Sequence, residues 1–382
     1  MSAKRASEVQ RGASGTACLR CVVLGAGIAL GCTAAAEGPA RLDRYKLLRY
    51  RDAGGEVRPV KTPADWQQRR AEIVRGMQEA MGNLPGPERR VSLDVKVQEE
   101  ADAGTYVRRL ITYQSEPQSR TPAYLCIPKD VLAGRRRAPA VLCLHPTDNQ
   151  VGHQVVVGLG GRPGRQYAAE LAERGYVTLS PSYPHLADYW PNLARLGYVS
   201  GTMKAVWDNS RGLDLLASLP YVDSSRGFGA IGHSLGGHNA IYTAVFDPRI
   251  TVLASSCGFD SFLQYYDGSE SNWYFGKGWC QIRYMPRLSN YRGRLEEIPF
   301  DFPELLGALA PRRCFVNAPQ YDDNFQCQSV AECAAAAYPV YELLGGKGHL
   351  CVEHPDCGHD FPGELRAAAY RAIDAVLRPG AK

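Results

Sequence analysis

The sequence has no apolar run of about 18 residues, the length that a membrane-spanning helix requires. It also has no internal repeat and no Cys-x-x-Cys pair beyond its first 36 residues. Charged residues make up 22% of the chain and apolar residues 45%, a balance that excludes a disordered, collagen-like or coiled-coil protein. The sequence is therefore that of an ordinary globular protein, and one large domain can account for most of its 382 residues.

The small excess of positive charge lies mainly in the first 36 residues. The whole chain carries +5, and this segment holds Lys4, Arg5, Arg11 and Arg20 against Glu8, or +3. Only about +2 is therefore left for the rest of the chain, which predicts no nucleic-acid partner.

Residues 1–36 are typical of a signal or targeting segment. Arg20 precedes the short apolar run CVVLGAGIALG at 21–31, which has the length of a signal-peptide core. Cleavage after Ala36 would make the protein secreted or periplasmic. Cys32 follows a sequence similar to a lipoprotein cleavage site, so an N-terminal lipid anchor is an alternative. A disordered leader or a misassigned start is a third interpretation.

Nine of the twelve cysteines follow Cys32, an odd number that excludes complete pairing within the chain. Cys351 and Cys357 could form a disulfide. So could two of Cys280, Cys327 and Cys333. The sequence does not choose between these pairings.

The order of predicted elements indicates an α/β fold. Residues 63–82 have the apolar spacing of a helix that ends at a glycine, and the segments at 91–100 and 104–116 alternate like exposed antiparallel strands. After residue 120, short apolar strands alternate with helices at about 164–174, 201–219, 328–344 and 363–377. This alternation predicts a mostly parallel, twisted sheet of about eight strands with helices on both faces.

The order of these elements divides the chain into segments. Residues 37–104 are expected to form a helical and strand extension packed on the core, and 105–378 the catalytic domain. Within it, residues 258–303 are aromatic-rich and weakly periodic. A loop of this length is usually functional or mobile, which favours an insertion or partial lid. Simple packing of an insertion against the sheet edge is the alternative.

A Gly-x-Ser-x-Gly pattern at 232–236 lies between a predicted strand and a predicted helix. This context places Ser234 on a sharp strand-to-helix turn, where it would act as a nucleophile. His233 and His238 flank the pattern, but the first points away from the hydroxyl and the second lies one helical turn on. We therefore expect both to be bystanders, with a structural role for His238.

In this chain order the base follows the last strand, and the acid lies between serine and base. His359, in the segment HPDCGHDFP at 354–362, is the predicted base, with His354 as the fallback. Asp322, in the segment RCFVNAPQYDDNF at 313–325, which ends a predicted strand, is the predicted acid that orients the imidazole. Asp323 and Asp260 remain alternatives.

Backbone N–H groups are needed to stabilise the developing oxyanion. Leu235, directly after the nucleophile, supplies one predicted donor. Thr147, which follows the strand-like segment VLCLHP at 141–146, supplies the other, since Pro146 has no N–H; Asp148 is the alternative.

No cofactor and no metal are expected. Potential metal ligands do cluster within eleven positions, but their spacing fits no standard structural zinc site. These are His349, Cys351, His354, Asp356, Cys357 and His359.

The serine turn, the His-Pro-Thr loop at 145–147, the Arg211/Asp214 helix and the ending GHDFP at 358–362 together resemble the α/β-hydrolase superfamily. Within it the chain is similar to the acetyl xylan esterase, dienelactone hydrolase and prolyl oligopeptidase-like branch, over about residues 105–378. The resemblance implies a serine esterase that cleaves small-acyl or carbohydrate-linked esters through an acyl-serine intermediate. An exopeptidase or amidase, holding a free amine with Asp267, Glu270, Glu296 or Glu297, is the alternative.

Overall fold

A computed structural model of the chain describes residues 41–379. Short apolar strands and their longer antiparallel neighbours form one nine-stranded sheet, and two further strands pair on their own. The strands are β1 (Arg49–Arg51), β2 (Val57–Pro59), β3 (Lys96–Asp102), β4 (Tyr106–Glu116), β5 (Ser119–Pro128), β6 (Ala140–Leu144), β7 (Val177–Pro181), β8 (Phe228–His233), β9 (Ile250–Ser256), β10 (Arg313–Asn317) and β11 (Leu350–Glu353).

The strand order in the large sheet is β11-β10-β9-β8-β6-β7-β5-β4-β3. The six strands from β11 to β7 pair in parallel, whereas β5, β4 and β3 are antiparallel to their neighbours. Because the carboxyl ends of parallel strands meet at one edge, the loops after β6, β8, β9, β10 and β11 gather there. This edge carries the predicted site residues.

Helices cover both faces of the sheet, as predicted. Alternate residues of β6 face opposite cores: Leu142 and Leu144 contribute to one, Val141 and Cys143 to the other. The first core includes buried residues of six helices and the second those of two. The helices are α1 (Pro63–Met81), α2 (Lys129–Leu132), α3 (Tyr167–Glu173), α4 (Gly201–Ser218), α5 (Leu235–Phe246), α6 (Phe302–Leu309), α7 (Cys327–Leu343) and α8 (Gly363–Leu377).

Helix α1 confirms the prediction for residues 63–82, and its ends show why it forms. The Thr62 side chain accepts a hydrogen bond from the N–H of Asp65, and the Asp65 carboxylate accepts one from the N–H of Thr62. This reciprocal capping satisfies N–H groups that have no partner inside the helix. Gly82 then ends the helix with φ 91°, a conformation that glycine adopts without a steric penalty.

Buried ion pairs attach the N-terminal extension to α6. Arg44 contacts Asp301 at 2.6 Å, and Arg69 contacts Glu304 at 2.5 Å, with all four side chains nearly excluded from solvent. A buried charge without its partner is costly, so these pairs fix where the extension packs. Residues 41–379 accordingly form one compact unit.

The structure differs from the sequence-based expectation in detail. The large sheet has nine strands instead of about eight, and its edge strand β3 comes from the segment 37–104. The helix expected at 164–174 begins only at Tyr167, because Gly164 has φ 76°, which a right-handed helix excludes. The helix expected at 363–377 has those bounds.

Residues 257–301 form an insertion between β9 and α6 that contains only short 3-10 turns, while residues 302 and 303 of the expected insertion belong to α6. Its buried aromatic side chains pack on one another and on α6; Phe262, for example, meets Trp273, Trp279 and Phe302 edge to face. Such packing orders the insertion without regular secondary structure. Whether it moves as a lid stays a prediction.

Two other expectations concern the ends and the thiols. The targeting segment 1–36 and its lipid-anchor alternative lie outside the described residues. All nine cysteines between residues 41 and 379 are free thiols, so none of the disulfides considered from the sequence is formed. Within the same range, no helix combines the length and apolarity that crossing a membrane requires.

Candidate active site

Ser234 lies at the junction of β8 and α5, where the backbone is strained. Its φ of 53° and ψ of −120° fall outside the regions that residues with a Cβ normally adopt. Strain of this kind persists only where the surrounding structure enforces it, and it is frequent at active sites. Here the N–H of Ser234 is bonded to the carbonyl of Ser256, at the end of β9.

Two glycines make this turn possible because backbone occupies the space that a side chain would need. A Cβ at Gly232 would lie 2.1 Å from the carbonyl oxygen of Gly236. A Cβ at Gly236 would lie 2.0 Å from the carbonyl oxygen of Leu144. The glycines of the sequence motif therefore serve the close approach of β6, β8 and α5, as the motif predicts.

Asp322 and His359, the two residues predicted to assist the serine, are in direct contact. The Nδ1 atom of His359 lies 2.9 Å and 3.0 Å from the two carboxylate oxygens of Asp322. Oδ1 of Asp322 also accepts the N–H groups of Asn324 at 2.8 Å and Phe325 at 3.1 Å. Burial disfavours the charged carboxylate, but these bonds outweigh it and lower the pKa of Asp322. Asp322 is thus held ionised against the imidazole.

The alternative acids make no contact with His359. Asp323 is exposed. Asp260 is fully buried, and its Oδ2 accepts the N–H of Gln326. Burial raises the pKa of Asp260 to about 8, so its carboxyl is mainly protonated at neutral pH. A neutral carboxyl cannot stabilise an imidazolium as a carboxylate does.

Ser234 opens into a small cavity of about 130 Å³. Both predicted oxyanion residues, Leu235 and Thr147, line this cavity together with aromatic and amide side chains. These side chains are Tyr265, Trp279, Gln281, Tyr284, Asn324 and Phe325. The ring of His359 lies 6.2 Å from that of Phe325 and 4.9 Å from that of His233, the residue before the serine. The pair of Asp322 and His359 therefore adjoins the serine turn.

The two histidines beside Ser234 have partners of their own. His233 is buried, and its Nδ1 lies 2.9 Å from Oγ of Ser256. His238 donates from Nδ1 to the carbonyl of Gly258 at 3.1 Å, and its ring packs edge to face on Trp279. Burial lowers the pKa of His238 to about 3 and that of His233 well below its usual value, so both rings are neutral.

One property of His238 was missed from the sequence. Its Nε2 atom is buried without a hydrogen-bond partner among residues 41–379, and the residue lines the cavity beside Ser234. Because Nδ1 carries the proton, Nε2 presents a lone pair that can accept a hydrogen bond. No pattern in the sequence indicates this, since it depends on Gly258, twenty residues away.

The loop after β6 is held by a histidine that sequence reasoning did not single out. His145 donates from Nδ1 to the carbonyl of Pro146 at 2.7 Å, and its Nε2 accepts the N–H of Tyr183 at 3.0 Å. Burial lowers the pKa of His145 to about 4, which keeps Nε2 available as an acceptor. The Oγ1 of Thr147 lies 3.1 Å from the hydroxyl of Tyr284, which fixes the loop against the insertion.

Of the six potential metal ligands near the C-terminus, His359 is the one that belongs to a close group of ligand atoms among residues 41–379. His349 and His354 bond to the carbonyls of Pro311 and Ala318. Within residues 41–379, the group whose ligand atoms do come within 4.8 Å of one another is Cys257, Asp322 and His359. Burial raises the pKa of the Cys257 thiol, so it is a protonated neighbour of the pair.

Part of the chain matches a family of known proteins. Residues 197–345, which include Ser234 and Asp322, match the family model for glucuronyl esterases of fungi. No curated protein matches the sequence significantly.

The structure is similar to several solved carbohydrate esterases. A glucuronoyl esterase from Solibacter usitatus is 20% identical, with 88% of this chain and 99% of that one covered and a TM-score of 0.66. A carbohydrate esterase family 15 glucuronoyl esterase from Caldicellulosiruptor kristjansonii is 18% identical, with 87% and 90% covered and a TM-score of 0.64. The glucuronoyl esterase catalytic domain from Hypocrea jecorina is 17% identical, with 91% and 92% covered and a TM-score of 0.60. At such identities the likeness shows the fold alone, which is the α/β-hydrolase fold.

Proposed function

We propose that this protein is a serine esterase that hydrolyses carboxylic esters carried by carbohydrates, and in particular esters of a uronic acid. The observation that carries the proposal is the match of residues 197–345 with the glucuronyl esterase family, because this range holds both the serine turn and Asp322. The contact between Asp322 and His359 supports it. No metal or organic cofactor enters the proposed reaction.

In the proposed reaction Ser234 attacks the ester carbonyl while His359 takes the proton from its hydroxyl. The imidazolium then protonates the departing alcohol, which leaves an acyl group on Ser234. Water, activated by His359, releases the acid in a second attack of the same kind. Asp322 keeps the Nδ1 proton of His359 in place and stabilises the imidazolium by its negative charge.

The proposed oxyanion site consists of the backbone N–H groups of Leu235 and Thr147. Leu235 is the first residue of α5, where an N–H has no acceptor inside the helix. The positive end of the helix dipole adds to the stabilisation of the tetrahedral intermediate. The bonds of His145 support this proposal, because they hold the Thr147 loop before substrate binds.

The cavity wall suits a sugar that carries the ester. Trp279 and Tyr284 offer aromatic surface, Gln281 and Asn324 offer amides, and Nε2 of His238 offers a buried acceptor without a partner. A substrate hydroxyl that donates to His238 would satisfy this atom, and its absence would leave the atom unpaired at a cost of about 1–3 kcal/mol.

A second candidate is removal of a small acyl group such as acetyl from a carbohydrate. The volume of the cavity favours it, since about 130 Å³ is well below the roughly 300–1,000 Å³ of pockets that enclose a whole ligand. In either case only the part of the substrate next to the ester fits inside the cavity, and the rest must bind outside it.

The peptidase alternative finds no support at this site. The acidic residues of the insertion that could have held a free amine do not line the cavity. Glu270 pairs with Arg292 at 3.3 Å and Glu297 with Arg294 at 2.8 Å, while Asp267 accepts a hydrogen bond from Gln326.

We also propose that the protein is exported, to the periplasm or outside the cell, either free or through a lipid at Cys32. The apolar run at 21–31 and the small residues that follow support this. Mass spectrometry of the mature N-terminus distinguishes cleavage after Ala36 from a lipidated Cys32; an intact Met1 in the exporting host contradicts both.

The experiment that tests the function compares kcat/KM for benzyl glucuronate, p-nitrophenyl acetate and a Gly-Pro anilide, with Ser234→Ala as the control. The uronoyl proposal expects the glucuronate ester to be the best substrate. A preference for the acetate selects the second candidate. Cleavage of the anilide alone, or no cleavage of any ester, contradicts the proposal.

A further inference from the structure

A second and larger concavity lies beside the loop that follows β7. It has a volume of about 350 Å³, within the roughly 300–1,000 Å³ typical of ligand sites. The β4–β5 turn at Gln118–Arg120 forms one wall, and residues 189–196 form the other. Trp190 projects from this second wall and is 67% exposed, although most large apolar side chains of the chain are buried. We call this concavity the Trp190 groove.

The indole of Trp190 is held in a fixed position despite its exposure. Its Nε1 donates to the carbonyl of Ala187 at 2.7 Å. One side of the ring packs on His185 at a centroid distance of 5.1 Å, and Nε2 of His185 lies 3.1 Å from the carbonyl of Pro191. The remaining aromatic surface therefore faces solvent in a defined orientation, which lowers the entropy cost of binding a flat apolar surface.

The turn that carries Trp190 is itself strained. His185 has φ 62° and Ala187 has φ 45°, both unusual for residues other than glycine. The N–H of His185 bonds to the carbonyl of Tyr189 at 2.8 Å, and the N–H of Tyr189 bonds to the carbonyl of Leu186 at 3.1 Å. Strain that is maintained by such bonds concentrates at ligand-binding positions.

A buried network fixes the turn from behind. The hydroxyl of Tyr189 donates to Asp208 at 2.8 Å, and Asp208 pairs with Lys204 at 2.5 Å. Both of these charged side chains are almost completely excluded from solvent. The wall of the groove is thereby attached to helix α4.

The rim of the groove supplies polar donors on either side of the indole. Arg120 is fixed by Asp94 at 2.7 Å on one wall. Arg195 on the other wall is exposed, and its guanidinium has no hydrogen bond or ion pair within residues 41–379. An aromatic surface flanked by donors of this kind matches a sugar ring, which has an apolar face and hydroxyl groups around its edge.

The groove and the cavity at Ser234 open at the same edge of the sheet. Ser182, after the carboxyl end of β7, bonds to Pro122 of β5, close to the turn at Gln118–Arg120. Tyr183, next in the chain, packs on Tyr284 of the Ser234 cavity at 6.4 Å and donates to the carbonyl of Arg283 at 2.7 Å. The loop that ends in the Trp190 groove thus begins at the wall of the active site.

We propose that the Trp190 groove is a surface subsite that binds the polysaccharide to which the ester is attached, at sugars remote from the scissile bond. The proposal rests on the proposed function for the choice of a carbohydrate as the ligand. It also accounts for the difference in size between the two sites: the cavity takes the ester group, and the groove holds the chain that the cavity cannot enclose.

The test uses binding and kinetics of the full chain. Affinity electrophoresis measures how strongly soluble polysaccharides retain Ser234→Ala, alone and combined with Trp190→Ala. The polysaccharides are glucuronoxylan, mannan, pectin and a soluble cellulose derivative. Tyr338→Ala, at a 46% exposed aromatic position on α7, is the matched control. We expect Trp190→Ala to weaken retention by at least one polysaccharide roughly tenfold, which corresponds to the loss of one well-placed contact.

The same Trp190→Ala change, with Ser234 intact, should raise KM for the ester-bearing polymer roughly tenfold and leave kcat/KM for a small soluble ester within about twofold. Unchanged retention in Trp190→Ala, or no retention of the parent by any of the polysaccharides, overturns the groove proposal. An equal loss on small and polymeric esters also overturns it. If no sugar ester is hydrolysed but retention still depends on Trp190, the groove stands and the proposed function falls.

Discussion

Replacing Asp322 with asparagine tests how the imidazole is oriented. The change preserves size, so the new side chain can still accept the N–H groups of Asn324 and Phe325 through Oδ1. Its amide nitrogen then takes the place of Oδ2, 3.0 Å from Nδ1 of His359. An amide donates at that position, and Oδ1 already accepts two N–H groups, so the variant favours an imidazole with a lone pair at Nδ1 and its proton on Nε2. In that tautomer His359 cannot take the proton of Ser234.

The expected loss in kcat is roughly ten-thousandfold, the size found when an asparagine imposes the wrong tautomer in other serine hydrolases. At 1.36 kcal/mol for each factor of ten, this is about 5 kcal/mol of transition-state stabilisation. The assay is kcat for a glucuronate ester and for p-nitrophenyl acetate, with thermal unfolding to verify the fold.

Asp323→Asn is the matched control, because Asp323 is the exposed neighbour in the same loop. We expect its kcat to stay within about twofold of the wild type, as for most exposed positions. A loss below about tenfold in Asp322→Asn, or an equal loss in Asp323→Asn, refutes the assignment of the acid.

Two further predictions concern buried ionisable groups other than His359 and Asp322. Burial raises the pKa of Asp260 to about 8, so folding takes up a proton and the stability falls as pH rises from about 4 to about 8. The unfolding free energy of Asp260→Asn should therefore rise relative to that of the wild type as pH rises across this window. Urea unfolding between pH 5 and 9 measures this difference, and a difference that stays constant contradicts the prediction. Lys204→Met removes the cation that pairs with Asp208 at 2.5 Å and Glu116 at 2.8 Å, and should cost about 3–5 kcal/mol in the same assay. Stability within about 1 kcal/mol of the wild type would show that these carboxyls need no ion pair.

The sequence carries much of the information on the serine turn because the constraints there are local. Gly232 and Gly236 are required by backbone atoms within the turn and in the adjacent strand. The contact of His359 with Asp322 could be predicted from chain order, since the loops after β10 and β11 emerge side by side at one edge of a parallel sheet.

Other features depend on contacts between distant segments and leave no local pattern. The free lone pair of His238 is set by its bond to Gly258. The Trp190 groove combines a turn at 118–120 with a loop seventy residues later. The exposed antiparallel strand predicted at 91–100 is present as β3, but its position at the edge of the large sheet depends on pairing with β4.

The central claim, that Ser234 is the nucleophile of a carbohydrate esterase, is tested most directly by one rate. Release of benzyl alcohol from benzyl glucuronate is measured for the wild type and for Ser234→Ala. The account predicts turnover by the wild type and a loss of roughly a millionfold in the variant. A variant that retains the wild-type rate, or a wild type that leaves the ester intact, would contradict it.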